Sequence, residues 1–231
     1  MLAANNEVGT LLDLGSACVA ARGAGASVVI DASQAAGKVP INVTELGCDH
    51  LVLSGAKLYG PHGAAALVSR HSLQDARRAR FGTPDLPAAA ALGAACRLRQ
   101  LEMAVDEPRI ELLRDALQTR LEAEFPDLQV NGDREGRLAG TLHFAAPGVP
   151  SDAILNRVHG RLAISSGAAC HSLAVEPSHV LVAMGLPGWV LDGAIRVSLG
   201  RFNTQAEVDS AGDLLVAAIK ATRAAQYRRS A

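Results

Sequence analysis

Two short apolar runs, each ending on residues that can do chemistry, constrain this chain most. Ser27-Val28-Val29-Ile30 is rich in β-branched residues and stops at Asp31. Asp49 to Leu53 is a second apolar run and stops at Ser54-Gly55-Ala56-Lys57. Runs this short and this apolar read as buried strands. A helical segment, Leu11 to Arg22, closes at Gly23 before the first run, and Ala32 to Lys38 after it reads as a turn or short helix. Ala64 to Val68 is a third strand candidate. Such strands separated by helices predict an α/β domain whose mostly parallel sheet is covered on both faces. Ligands of open α/β sheets bind beyond the carboxyl ends of the strands, where Asp31 and Lys57 fall.

The middle reads as two helices, Pro87 to Val105 and Pro108 to Phe125. In the second, Leu113, Leu117 and Leu121 recur every fourth residue as one apolar stripe. The back half changes character. Leu128 to Val130, Thr141 to Phe144, Leu162 to Ile164 and Ala194 to Leu199 read as strands. Ser151 and Ser178 can cap helices, and Thr204-Gln205-Ala206-Glu207 is a capping box opening a last helix to about Tyr227. This mixture predicts a smaller α+β domain.

Several function classes are disfavoured. The chain has 231 residues, 49% hydrophobic and 19% charged, enough apolar material for a packed core. A net charge of −1 and 3% aromatics argue against a basic, ring-lined nucleic-acid groove. The one basic knot, Arg77-Arg78-Ala79-Arg80, reads as a solvated helix face. No apolar run reaches the roughly 18 residues of a membrane span. No charged-then-apolar leader follows Met1. Cys18, Cys48, Cys96 and Cys170 lie far apart, without zinc-site spacing. A reduced, cytoplasmic protein is expected.

Of 22 basic residues only Lys38, Lys57 and Lys220 are lysines. Arginine cannot replace lysine in imine chemistry, so a lysine just past a strand end is of interest. Pyridoxal phosphate (PLP) needs such an amine for a Schiff base and an acid to hold its ring nitrogen protonated. Lys57 and Asp31 are candidates for the two roles. Taken alone, the pair also reads as a surface charge and a turn cap. Cys170 lies in a run of small residues, Ser165-Ser166-Gly167-Ala168-Ala169-Cys170-His171-Ser172. His171 can favour its thiolate, the nucleophilic form. An inert small hydrophobe is the plainer reading. Cys18, Cys48 and Cys96 fall in apolar patterns and read as core. Arg196 interrupts the apolar strand Ile195 to Leu199 and needs a partner, either a substrate carboxylate or a structural acid. The remaining histidines, His143 among them, show no metal-ligand spacing and read as structural.

Taken together, five strings are more specific than any one. They are Asn5-Asn6-Glu7-Val8-Gly9, Asp31-Ala32-Ser33-Gln34, Ser54-Gly55-Ala56-Lys57-Leu58-Tyr59-Gly60-Pro61, Ser165 to Ser172, and Ile195 to Arg201. In this order they resemble the PLP-dependent cysteine desulfurase and selenocysteine lyase family, of the class V aminotransferase fold. The resemblance covers nearly the whole chain. It implies a partial PLP-dependent transferase fold type I large domain over residues 1–97. Linking helices and a small C-terminal domain with the cysteine loop follow over 98–231. It implies Lys57 as the residue that carries PLP, Asp31 on the pyridine nitrogen, Asn6 and Gln34 at the ring and its O3′, and Ser54 at the phosphate. Cys170 would take sulfur from L-cysteine as a persulfide and release L-alanine, and Arg196 would bind the substrate carboxylate. Thr83, in Phe81-Gly82-Thr83-Pro84, would reach the phosphate of a partner subunit, which implies a homodimer. The sulfur acceptor is unnamed.

The departures set further expectations. The family's first large-domain half, its Gly-Thr phosphate turn and its ring-stacking His have no counterpart before Asn5. Ala56 stands where the family usually has His. The segment between Ser69 and Phe81 replaces a glycine-rich loop, which weakens the carry-over to Thr83. Weak cofactor binding and slow turnover are therefore expected. Selenocysteine lyase is the alternative activity, and a truncated non-catalytic relative or a subunit completed by a second chain is the alternative class.

Overall fold

A computed structural model describes residues 1–70, 83–166 and 177–230. Cys170 and the Arg77–Arg80 cluster lie outside the described residues. The chain divides into two compact units, Met1–Asn6 with Leu11–Val105, and Glu7–Thr10 with Asp106–Ala231. No described helix is long and apolar enough to cross a membrane.

The first unit holds α1 (Leu14–Gly23), β1 (Val29–Asp31), α2 (Val43–Leu46), β2 (His50–Ser54), β3 (Ala65–Ser69) and the start of α3 (Leu86–Glu124). Asp13 caps α1, its Oδ1 accepting from the Ser16 amide at 3.1 Å. Asn42 caps the unpredicted α2 in the same way. The strand order is β1-β2-β3. β1 and β2 are parallel, and Leu2 forms a further parallel bridge to Asp31. β3, however, runs antiparallel to β2, against the expectation of a uniformly parallel run. The reason is the short connection, residues 55–64, which cannot form the crossover that a parallel return requires. One sheet face, with Leu53 and Ala66, packs on Leu58 and on Leu92 and Ala95 of α3. The other face is not covered as expected: Val29 is 46% and Leu67 48% exposed.

The middle is one helix, not two. α3 runs through Pro108. An interior proline costs about 3 kcal/mol, but burial continues beyond it. Ile110, Leu113, Leu117 and Leu121 are all buried, so the predicted stripe holds the last turns in place.

The second unit adds β4 (Gln129–Val130), β5 (Thr141–Ala145), α4 (Ser151–Val158), β6 (Ser165–Ser166), α5 (His179–Ala183), α6 (Gly188–Gly193), β7 (Ile195–Ser198) and α7 (Gln205–Ser230). Its sheet has the order β4-β5-β7-β6, with every pair antiparallel. Leu142, Phe144, Ile195 and Val197 face a core completed by α3, α4 and α7. The capping box forms reciprocally: the Thr204 amide donates to Glu207 Oε2 at 2.9 Å, and the Glu207 amide to Thr204 Oγ1 at 3.3 Å. Ser178 caps α5 as expected. Ser151 does not cap α4; Pro150 holds the cap position without a side-chain bond. Leu162 to Ile164 is not a strand either, because pairing with β7 starts only at Ser165.

Gly140 shows how tightly this unit closes. A Cβ there would lie 2.2 Å from the Leu199 carbonyl oxygen, whose own amide donates to Gly140 O at 2.8 Å. Gly140→Ala is expected to cost about 1–3 kcal/mol, read by urea unfolding on the fluorescence of Trp189, the chain's one tryptophan. Gly23→Ala, with nothing within 4 Å, should leave the midpoint unmoved.

Candidate functional site

The parallel register sets which side chains share a face of the first sheet. Asp31 pairs with Val52, so Asp31, Val52 and Ser54 point to the same side at the carboxyl ends of β1 and β2. That is the open side, with Val29 and Leu67. A cavity of about 680 Å³ lined by Gly37, Leu51, Leu53 and Arg99 lies on the opposite face and is not this place.

Asp31 is partly buried, and its Oδ1 accepts from the Ser33 amide at 2.9 Å. This bond turns the chain sharply, and the Ala35 and Ala36 amides close the turn on Ala32 O at 3.0 and 2.7 Å. Gln34 sits partly buried in that turn. Asp31 has no cationic partner among the described residues.

Beyond β2 the backbone bends into a 3-10 turn, Gly55–Lys57. Gly55 N donates to Ala64 O at 2.8 Å, and Gly60 N to Gly55 O at 2.8 Å. Neither glycine tolerates a side chain: a Cβ on Gly55 would lie 2.9 Å from Pro61 O, and one on Gly60 3.0 Å from Gly55 O. Leu58 is buried and anchors the turn. Tyr59 adopts φ +64°, a conformation that non-glycine residues rarely hold, under the Arg99 guanidinium 5.2 Å from its ring centre. Arg99 is itself fixed by its Nε bond to Gly37 O at 2.8 Å. Gly55 and Leu58 are pinned on either side of Lys57. Lys57 is exposed and makes no hydrogen bond or ion pair among the described residues. The Ser54 hydroxyl is likewise unengaged among them.

A carboxylate, a hydroxyl and a primary amine thus stand at neighbouring strand ends, none held by another side chain. This donor set fits PLP: an acid for the ring nitrogen, an amine for the aldehyde, a hydroxyl for the phosphate. Asn6 belongs to the same unit and is partly buried. Ala56 offers no side-chain donor. Thr83 is exposed, ahead of the Asp85 side chain that receives the Ala88 amide at 2.9 Å; the structure does not group it with the others.

Arg196 lies in the second unit. It pairs across β7 with His143 on β5 and with Ser165 on β6. His143 is completely buried. Burial, and then the Arg196 charge, pushes its pKa down to about 4. Asn131 Nδ2 lies 3.0 Å from its Nδ1. Cys170, the expected nucleophile, lies outside the described residues. Cys18 and Cys48 are buried, as expected, and burial pushes the Cys48 thiol up, away from reactivity. Cys96 is only partly buried.

Sequence reasoning missed Glu7. It is 4% exposed and accepts from the Ser178 Oγ at 2.5 Å, while Ser178 also caps α5. Val8 beside it packs on Leu181 and Ala194. Gly9 has φ +80°, and a Cβ there would meet Thr141 at 2.8 Å. Glu7-Val8-Gly9 is therefore a packing string of the second unit.

The class-V aminotransferase family model matches residues 1–81 and 74–210. Cysteine desulfurase 2 of Trichormus variabilis is 38% identical over 231 residues, covering 96% of this chain and 58% of that protein. The IscS-like cysteine desulfurase of Mycobacterium tuberculosis is 35% identical over 233 residues, covering 96% of this chain and 59% of its own length. The solved NifS-like protein from Rickettsia africae superimposes with a TM-score of 0.82 at 27% identity, over 96% of this chain and 60% of that one. The chain spans about 58% of the length of the curated relatives it matches. Asp31, Ser54 and Lys57 at adjoining strand ends of this fold, together with the family match, place the chain in the aminotransferase class-V family.

Proposed function

We propose that the chain acts in PLP-dependent desulfuration of L-cysteine. One observation carries this reading: an unengaged amine, Lys57, projects from a pinned turn beside the strand ends that bear Asp31 and Ser54. The names of the relatives support the choice of reaction.

Lys57 would hold the cofactor, Asp31 its ring nitrogen, Ser54 its phosphate, and Asn6 and Gln34 the ring and O3′. Bound PLP would supply an electron sink for cleavage at the substrate's Cβ. Arg196 would bind the substrate carboxylate by paired N–H groups. The Cys170 thiolate would attack the substrate sulfur. An S–S bond forms as the Cβ–S bond breaks, and the carbon left behind takes up a proton. L-cysteine and the Cys170 thiol become L-alanine and a Cys170 persulfide, so atoms and electrons balance. Thr83 would reach the phosphate of a second copy, making the working form a homodimer.

The test combines two readouts on the PLP-loaded chain given L-cysteine. L-alanine should appear, and the Cys170 peptide should gain the mass of one sulfur atom. Cys170→Ser should lose both. L-alanine released at the same rate by Cys170→Ser would refute the role of Cys170. L-selenocysteine as sole productive substrate would favour the lyase.

A further inference from the structure

Arg99 sits on the buried face of α3. Leu92, Ala95 and Arg99 recur along that face at helical spacing and are all buried, and Leu92 and Ala95 pack on Leu58. A guanidinium in a residue only 1% exposed is costly unless its charge and its N–H groups are met. Partners are in place. Its Nε donates to Gly37 O at 2.8 Å, and its Cζ lies 5.2 Å from the centre of the Tyr59 ring. Gly37 makes room for the approach: it has φ +73°, and a Cβ there would lie 3.1 Å from both Cβ and Cγ of Arg99.

These partners belong to different turns of the candidate site. Gly37 lies in the turn that follows Asp31, and Tyr59 lies two residues beyond Lys57. The ladder between β1 and β2 ends with the Ala32 amide, which donates to Val52 O at 2.8 Å. Past that point side chains join the two turns. Ala36 packs in the Leu58 cluster, and Arg99 holds the backbone of one turn and the ring of the other. The contact on Tyr59 falls on a strained residue. Its φ of +64° is held by few non-glycine residues, and such strain persists where surrounding contacts enforce it. Tyr59 also precedes Gly60, whose amide closes on Gly55 O at 2.8 Å and completes the reversal that contains Lys57.

We infer that Arg99 is a positioning residue of the candidate site: it ties the Asp31 turn to the Lys57 turn and so fixes the spacing between the carboxylate and the amine. The inference rests on the reading of Asp31 and Lys57 as PLP residues, and it assigns their mutual placement to a third residue on α3. A pyridine ring cannot stretch. A cofactor held at its ring nitrogen and at its aldehyde needs both protein groups at one separation, and each turn alone fixes only one of them. A buried cation suits this task better than an exposed one, because its attraction to an aromatic ring is stronger when water is excluded.

The first experiment needs neither cofactor nor turnover. Amide exchange followed by NMR on the full chain compares Arg99→Met, which keeps an apolar stem, with the unmodified protein. The Gly60 amide in one turn, and the Val39 amide bonded to Ala35 O at 3.1 Å in the other, should exchange about tenfold faster, while the amides of α1 keep their rates. Unchanged exchange in either turn, or equal acceleration in α1, overturns the inference. The second experiment reads PLP binding from the visible band. Arg99→Met should raise the half-saturating PLP concentration about tenfold when Asp31 is intact. In the Asp31→Asn background, where the ring-nitrogen end is no longer gripped, the same change should stay within about twofold. An equal rise in both backgrounds marks general loosening and overturns the positioning role, and so does no rise in either. If the unmodified chain gives no band at any PLP concentration, the PLP reading falls, and exchange alone decides whether Arg99 ties the two turns. Should Arg99→Met not fold, Tyr59→Leu removes the ring at a position 41% exposed and carries the same expectations for the Gly60 amide and for PLP.

Discussion

If Lys57 carries PLP as proposed, Lys57→Ala is expected to abolish the visible absorbance band of the PLP-loaded chain and to bring L-alanine release from L-cysteine to background. The reason is chemical scarcity as much as position. Only three lysines exist in 231 residues. The Lys220 ammonium is taken by Glu124 Oε2 at 2.5 Å, in the second unit. Lys38 is partly buried and already engaged. Lys57 alone combines exposure with an unengaged amine among the described residues. Lys57→Arg separates chemistry from charge. It keeps a cation at the turn, and it must lose the band as completely as alanine does, because a guanidinium forms no imine. Borohydride reduction of the loaded chain should then fix the label on the peptide containing Lys57. A band that survives in both variants, or a label on Lys38, would remove Lys57 from the reading. Turn geometry predicts that neither variant unfolds the chain, since Lys57 supports nothing: Gly55, Leu58 and Gly60 hold the loop without it.

The parts legible in the sequence were those fixed by local chemistry. Apolar runs gave the strands of the first sheet, because a buried strand must be apolar along its length. Ser178 and Thr204 with Glu207 act locally: each lies within three residues of the amides it satisfies. The direction of β3 was not local. It depends on how little chain joins it to β2, and the apolar pattern of Ala65–Ser69 reads the same in either direction. Pro108 misled for a related reason. The rule that proline ends a helix weighs one missing bond and one clash, whereas Leu113, Leu117 and Leu121 are held by packing against strands that follow later in the chain. At the site, Asp31 and Lys57 were readable as candidates because strand ends carry ligands in this class of fold, whereas Ser54 entered only through the family resemblance. Glu7 was not, because its partner Ser178 lies 171 residues away. His143 read as structural, and its bond to Asn131 agrees. Its pairing with Arg196 needed the register of two strands more than fifty residues apart.

The second large effect is on stability in mild acid. His143 has a folded pKa of about 4, below the ordinary 6.5, because burial first and Arg196 second disfavour the imidazolium. Between those two pH values the unfolded chain binds a proton that the folded chain refuses. Stability is therefore complete above about pH 6.5 and is lost as the pH falls toward 4. The whole gap corresponds to roughly 3 kcal/mol, and about 2 kcal/mol of it should disappear between pH 7 and pH 5. Carboxylates cannot produce this window. Asp13, Asp133 and Glu207 are also held below their ordinary values, by hydrogen bonds. Their unfolded counterparts titrate near 4, so their contribution is lost mainly below pH 5. Urea unfolding followed on Trp189 at pH 7 and pH 5 measures the difference within the second unit, where Trp189 lies in α6. His143→Gln keeps a polar group of similar reach without a titrating proton, and it should show a much smaller loss over the same interval. Equal losses in the two proteins would mean that another group carries the acid sensitivity. A loss confined to the unmodified chain would instead identify one imidazole, neutral by burial beside Arg196, as the group that sets the lower pH limit of this unit.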